Sequence, residues 1–350
     1  MNVTMNRRTF LIGAAAVAAC SRGPRLNVFN WSDYVAPDTI PNFEREFGLR
    51  VRYSTYESVP EMLAKVMSGN SGWDVIFPSA EYIQPMRDMG LLAPLRHDLL
   101  PNLSALDPQF QKPPWDPNLE WSVPYMHGAT GIVYQKSLGW SPGSWSDLWD
   151  ARLAGKLTML DDPPEVFAAC LKTLGYSLNS SDSAELRAAQ QRAIAQKLLV
   201  RAYLNAEVRD QLVSGDVGAA QAWAVTAAQA IAAASERSDG VSVSKLAFAF
   251  PAEGFPRYAD NVAILRESGR MEAAHHFINY LLRPRVAAAI VETTRTATCN
   301  GAALEFLPEA LRSDPVLYPP PDVLGRGEWF TPQSAAGQRL RDRLWTEIKT

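Results

Sequence analysis

The sequence predicts an α/β fold in two lobes, each a mostly parallel sheet flanked by helices. Three observations carry that reading. The 350-residue length leaves about 330 residues after a cleavable leader, more than one hydrophobic core usually serves. Residues 26–77 alternate strand and helix signals in the order β-α-β-α-β, which implies a parallel sheet covered by helices. The same alternation resumes after residue 144.

Leu26-Asn27-Val28-Phe29 opens the first unit as a short strand. Thr39 to Phe47 reads as a helix that Gly48 stops. Val51 to Thr55 alternates apolar and polar residues, as a half-buried strand does. Pro60 to Met67 reads as the next helix, with Pro60 tolerated in its first turn. Trp73 to Phe77 is a third strand, ended by Pro78. Further on, a helix is expected from Ser144 to Leu153 and a strand over Leu157–Leu160. Asp182-Ser183-Ala184-Glu185 has the form of a capping box opening a helix toward Leu199. Met271, Ala274, Phe277, Ile278 and Leu281 recur at helical spacing, and Arg283-Pro284 interrupts that helix.

Residues 1–19 are expected to be an export signal. Arg7-Arg8 precedes the apolar run Phe10 to Ala19, about half of the roughly 20 residues a bilayer-spanning helix needs. The paired arginines resemble a twin-arginine signal. Val17-Ala18-Ala19-Cys20 resembles a lipobox, in which Cys20 is acylated and anchors the chain to a membrane; a plain cleavable signal is the other reading. Cleavage there removes two arginines and no acids, leaving 32 basic and 37 acidic residues, a net charge of −5. That balance argues against nucleic acid, for which a basic patch is expected. Beyond Cys20 only Cys170 and Cys299 remain, too few for a disulfide framework.

The H-E-x-x-H, P-loop and G-x-G-x-x-G signatures are absent. The adjacent His275 and His276 would point about 100° apart on a helix and cannot share a metal. No enzyme, cofactor or metal is expected.

Three stretches offer ligand chemistry. Trp31-Ser32-Asp33-Tyr34 follows the first strand, where open α/β sheets place ligands. It supplies two aromatic faces, a hydroxyl and a carboxylate, a set suited to an alkylammonium; a turn with Asp33 as a local cap reads equally well. In Asp162-Pro163-Pro164-Glu165, residue types favour a helix cap over a site, although a helix N-terminus would also keep Glu165 ionised. Tyr258 and Asp260 have the i, i+2 spacing that puts both on one face of an extended segment; a loop with Asp260 exposed is the alternative.

Several fragments occur in a telling order: Asn30-Trp31-Ser32-Asp33-Tyr34, Ser54-Thr55-Tyr56-Glu57-Ser58, Pro78-Ser79-Ala80-Glu81-Tyr82, Glu165-Val166-Phe167, Asn279-Tyr280-Leu281-Leu282-Arg283-Pro284 and Gly327-Glu328-Trp329. Together they resemble the periplasmic spermidine/putrescine-binding proteins, the substrate-binding subunits of polyamine ABC importers. The resemblance runs from about Leu26 to the C-terminus. It implies a two-lobed solute-binding fold closing on its ligand about a hinge. Residues 26–128 plus about 258–297 would form lobe 1, and about 129–257 plus 298–350 lobe 2. It also implies a periplasmic or membrane-tethered monomer that works with an ABC permease. It nominates Trp31, Ser32, Asp33, Tyr34, Ser79, Asp162, Glu165, Trp223, Tyr258 and Asp260 as ligand-binding residues.

Burying an ammonium costs several kcal/mol unless it is paired, and a cation–π contact returns only about 0.5–2 kcal/mol. Carboxylates must therefore carry the charge, with Asp33, Glu165 and Asp260 as the expected set and Glu81 and Asp162 as additions. The chain departs from the family at Glu81, where relatives carry Tyr or Ser, at Thr226, where putrescine binders carry Asp, and at His127, Thr296 and Phe330. An acid lost at 226 and gained at 81 suggests that Glu81 holds the distal ammonium. Another cationic amine or amino acid, a polyamine-sensing module and an exported hydrolase remain as alternatives.

Overall fold

The computed structural model describes residues 25–236 and 245–350. The expected signal over 1–19 and the anchor at Cys20 lie outside the described residues. β1 (Arg25–Trp31), α1 (Thr39–Phe47), β2 (Arg50–Tyr56), α2 (Val59–Val66) and β3 (Val75–Ile76) occur in the predicted order. Gly48 ends α1 in a left-handed conformation, φ 63°, that costs glycine little. The Ser58 hydroxyl accepts the Glu61 N–H at the start of α2, with Pro60 in the first turn. β1 pairs in parallel with β2 and with β3. β3 is shorter than the predicted 73–77. Trp73 instead stacks on Phe29, and the Phe77 carbonyl leaves the ladder to accept from the Trp31 indole and the Tyr56 hydroxyl.

α3 (Ala80–Asp88) precedes the longest strand, β4 (Val123–Gln135). The second α/β run then holds β5 (Leu157–Met159), α4 (Pro163–Thr173), α5 (Ser183–Gln196), β6 (Val200–Tyr203), α6 (Val208–Ser214), β7 (Ala219–Trp223) and α7 (Ala224–Glu236). Residues 144–153 form two short 3₁₀ turns rather than one helix. A reciprocal Ser144–Asp147 capping box opens them, and Trp145 is drawn into the core with its indole donating to the Gly254 carbonyl. β8 (Leu246–Ala249), β9 (Phe255–Ile264), α8 (Met271–Leu281), α9 (Pro284–Thr294), β10 (Ala297–Thr298), β11 (Gly327–Trp329) and the C-terminal α10 (Ala335–Lys349) complete the main elements. Among the described residues no helix is long and apolar enough to cross a membrane.

The main strand path is β2-β1-β3-β9-β4-β7-β5-β6. Parallel trios, β2-β1-β3 and β7-β5-β6, stand at its two ends, and antiparallel β9 and β4 lie between them. One core gathers Phe29, Phe77, Met126, Ile264 and Phe277. Another gathers Ile132, Trp145, Phe167 and Phe255. β4 and β9 each contribute to both cores, so the two halves are joined by strands that continue from one into the other. β4 pairs with β9 as far as Ala129 and with β7 from Thr130 onward. Gly128 and Gly131 permit this close packing. A Cβ at 128 would run into the Tyr258 hydroxyl, and one at 131 would lie 2.6 Å from the Ala249 carbonyl. Cys299 and Cys170 are both free and buried, one in each core.

Candidate functional site

Asp260 sits in the middle of β9, opposite Met126 of β4. It is 4% exposed, and it lies inside a strand rather than in an exposed loop. Its carboxylate accepts the Tyr34 hydroxyl at 2.9 Å and the Ser79 hydroxyl at 2.7 Å. Burial pushes its pKa up to about 6, against the pull of those two bonds. Tyr258, two residues earlier, faces the same way and pairs with Gly128. Its ring occupies the space a Cβ at 128 would take, and its buried hydroxyl has no well-formed hydrogen bond.

The face continues across the sheet. Residues 126, 128 and 130 of β4 alternate onto the side of Tyr258 and Asp260, and Thr130 pairs with Trp223 at the end of β7. Glu165, in the first turn of α4, points back onto this line. Its Oε1 accepts the Thr130 hydroxyl at 2.9 Å and the Trp223 indole N–H at 3.0 Å. Its Oε2 is buried and has no hydrogen-bond partner among the described residues. Asp162 caps α4 by accepting the Glu165 N–H at 3.2 Å. The reciprocal half of the predicted capping box does not form, because the Glu165 carboxyl is turned toward Thr130 and Trp223. Burial, reinforced for Glu165 by the charge of Asp162, raises the pKa of both groups.

Glu81 enters from the first turn of α3, two residues after Ser79. Its pKa is pushed up to about 8 by burial, with Asp260 and Asp162 adding repulsion and its own backbone N–H opposing. Glu81 is thus within electrostatic reach of Asp260 and Asp162, and Glu165 of Asp162 and Glu81, which links the four acids into one set. No cation of the described residues stands among the groups that shift them. Among the described residues no three His, Cys, Asp or Glu side chains converge as ligands of one metal ion.

The 31–34 loop divides. Tyr34 reaches Asp260, and its carbonyl accepts the Tyr125 hydroxyl at 2.6 Å. The Trp31 indole donates to the Phe77 carbonyl at 2.9 Å, and its ring lies 4.6 Å from Tyr56 and 6.3 Å from Tyr34. Ser32 donates to Glu57 instead. Asp33 is exposed, with a left-handed backbone at φ 55°, and lines a crevice that contains none of the four acids. The expected trio of Asp33, Glu165 and Asp260 is therefore not assembled; Glu81 and Asp162 stand with the latter two. His127 occupies the opposite face of β4, packed between Phe110 and Tyr318, where burial pushes its pKa down to about 3. Thr226 and Thr296 are buried.

Thr130 and Tyr82 are additions to the residues nominated from the sequence. Thr130 orients Glu165, and Tyr82, partly buried beside Glu81, feels the charges of Glu81 and Asp162. The only available signal for Thr130 is its i, i+2 spacing from Gly128, which means nothing until the register with Tyr258 and Trp223 is known.

Residues 39–317 match the model of a family described as bacterial extracellular solute-binding protein. The putrescine-binding periplasmic protein PotF of Escherichia coli is 33% identical over 342 residues, covering 93% of this chain and 91% of its own. The spermidine/putrescine-binding periplasmic protein of the same organism is 35% identical over 331 residues, with 93% and 91% covered. The structure of the spermidine/putrescine ABC transporter substrate-binding protein PotD from Streptococcus pneumoniae superposes with a TM-score of 0.81 at 27% identity, covering 93% of this chain and 99% of that one.

Proposed function

The chain belongs to the bacterial extracellular solute-binding proteins, and on that premise we propose that it captures a polyamine for an ABC importer. The observation that carries this reading is the unmet charge of the site. Among the described residues Glu165, 3% exposed, keeps one carboxyl oxygen without a partner, and the charged groups that act on it are the acids Asp162 and Glu81, with no cation. Four carboxyl groups, no three of which converge as metal ligands among the described residues, suit an extended polycation, whose ammonium groups can each meet an acid. Trp31, Tyr34, Trp223 and Tyr258 supply aromatic surface for the methylenes between them. Ser79 holds Asp260 in place. Ser32 and Asp33 have no part in this arrangement.

In this reading Asp260 holds one ammonium and Glu81 the distal one, with Glu165 and Asp162 between the halves. Lobe 1 comprises residues 26–128 and about 258–297, lobe 2 about 129–257 and 298–350. The protein is exported, tethered outside the cytoplasmic membrane through Cys20, monomeric and non-catalytic, and it hands its ligand to a permease. Calorimetric titration with putrescine, cadaverine, spermidine and spermine tests the core of the proposal. Saturable one-to-one binding of at least one of them, accompanied by a change in tryptophan fluorescence, is expected. Silence with all four would overturn it.

A further inference from the structure

A crevice of about 500 Å³ is lined by Asp33, Tyr53, Arg209, Gln229, Thr293 and Thr294, with apolar side chains of residues 35–40 as one wall. That volume lies within the roughly 300–1,000 Å³ of small-molecule sites. Its polar groups are incompletely used. Asp33 makes no hydrogen bond or ion pair among the described residues, and φ 55° commits its backbone to a conformation rare outside glycine. Arg209 meets its chain neighbour Asp210 at 3.3 Å, a pair in which Asp210 is 84% exposed and which holds the guanidinium only loosely. Thr294 is 3% exposed, and its hydroxyl has no partner among the described residues. The Tyr53 hydroxyl has the Asn30 amide near it but no well-formed hydrogen bond. The Gln229 amide, by contrast, is held in place by donating to the Thr294 carbonyl at 2.7 Å.

A negative and a positive group therefore face one crevice from segments far apart in the chain, together with two hydroxyls able to donate. A polyamine is repelled by Arg209, and a simple anion is repelled by Asp33. A molecule carrying both charges satisfies both walls. We infer that this crevice is a second binding site, for a small amino-acid zwitterion whose ammonium meets Asp33 and whose carboxylate meets Arg209 and the hydroxyls of Tyr53 and Thr294. The site uses none of the four acids, so it stands or falls independently of the polyamine reading. It draws on residues 33–53 on one side and on α6 and α7 on the other, so occupancy would tie those segments together.

The test is a calorimetric series with glycine, β-alanine, 4-aminobutyrate, 5-aminovalerate and 6-aminohexanoate, run on the purified protein with and without saturating putrescine. At least one member is expected to bind one-to-one in both conditions. Arg209→Gln should weaken that binding at least about tenfold, the loss of one charge-assisted pair, while leaving putrescine affinity within about twofold. Thr294→Val, nearly isosteric, should weaken it about threefold. Absence of binding by every member in both conditions would overturn the inference. So would binding that Arg209→Gln leaves unchanged, or binding abolished by putrescine, which would place the amino acid in the acidic site. If Arg209→Gln only expands the empty protein in small-angle scattering, with no amino acid bound by either form, Asp33 and Arg209 serve as a pair for each other and the crevice is not a site.

Discussion

Glu165 is held by Thr130 and Trp223 through one oxygen and, among the described residues, by no hydrogen bond through the other. Glu165→Gln keeps the shape and removes the charge. Polyamine affinity should fall at least about tenfold, because a desolvated ammonium loses its counter-charge. The same change should raise the melting temperature of the empty protein at pH 8, since a buried acid with a raised pKa opposes folding once ionised. Calorimetry and thermal denaturation read the two effects, and a fall in both would refute the charge argument. The pH dependence comes from Glu81 and Asp260, pushed up to about 8 and about 6. Between ordinary carboxyl values and these, the folded protein holds more protons than the unfolded chain, so their contribution is fully present in acid and is lost as pH rises through about 6 to 8. Melting temperature should therefore decline over that interval for the empty protein, and Glu81→Gln should flatten the decline. Ligand affinity should move the opposite way, strengthening with pH. Protons released on binding would appear as a dependence of the measured heat on the buffer's ionisation enthalpy.

At the scale of the element, β4 decides the site. Gly128→Ala would force the Tyr258 ring off the strand and, as an overpacking change, should cost about 1–3 kcal/mol. The expected signature is a polyamine affinity reduced more than the melting temperature alone would explain, measured at a temperature where the variant is folded. The local elements were legible because their causes are local. Gly48 stops α1, Ser58 opens α2, Asp182 accepts two N–H groups of α5, and Arg283-Pro284 separates α8 from α9. The site was legible only in part. Tyr258 and Asp260 share a face because two-residue spacing in a strand requires it. That Gly128, Thr130 and Trp223 extend the same face depends on register between β9, β4 and β7, whose pairing residues lie roughly a hundred positions apart. Asp33 shows the opposite failure. It stands beside Tyr34 in sequence, yet its left-handed backbone leaves it exposed in the crevice.

For the whole molecule, the acids come from elements on both sides of the β4–β9 crossing. Asp260 and Glu81 belong with the first core's strands and helices, Asp162 and Glu165 with α4 of the second. A ligand pairing with both sets should draw the halves together. Small-angle scattering should record a smaller radius of gyration with saturating polyamine, and thermal denaturation a higher melting temperature that rises with ligand concentration. An unchanged radius would confine the ligand to one half.

The continuity of β9 with both halves also governs when the molecule can be finished. β3 has β9 as its second neighbour, so the sheet begun by residues 25–76 keeps a bare edge until residue 264 has been made. Nearly two hundred residues of chain must emerge before that edge is covered, including all of the second α/β run. Long-range closure of this kind is slow and leaves strand edges open to wrong partners. The strand that joins the two halves therefore also makes the N-terminal third depend on a segment synthesised much later. A fragment ending at residue 128 should show no cooperative thermal transition, whereas one carrying β9 in trans should regain it.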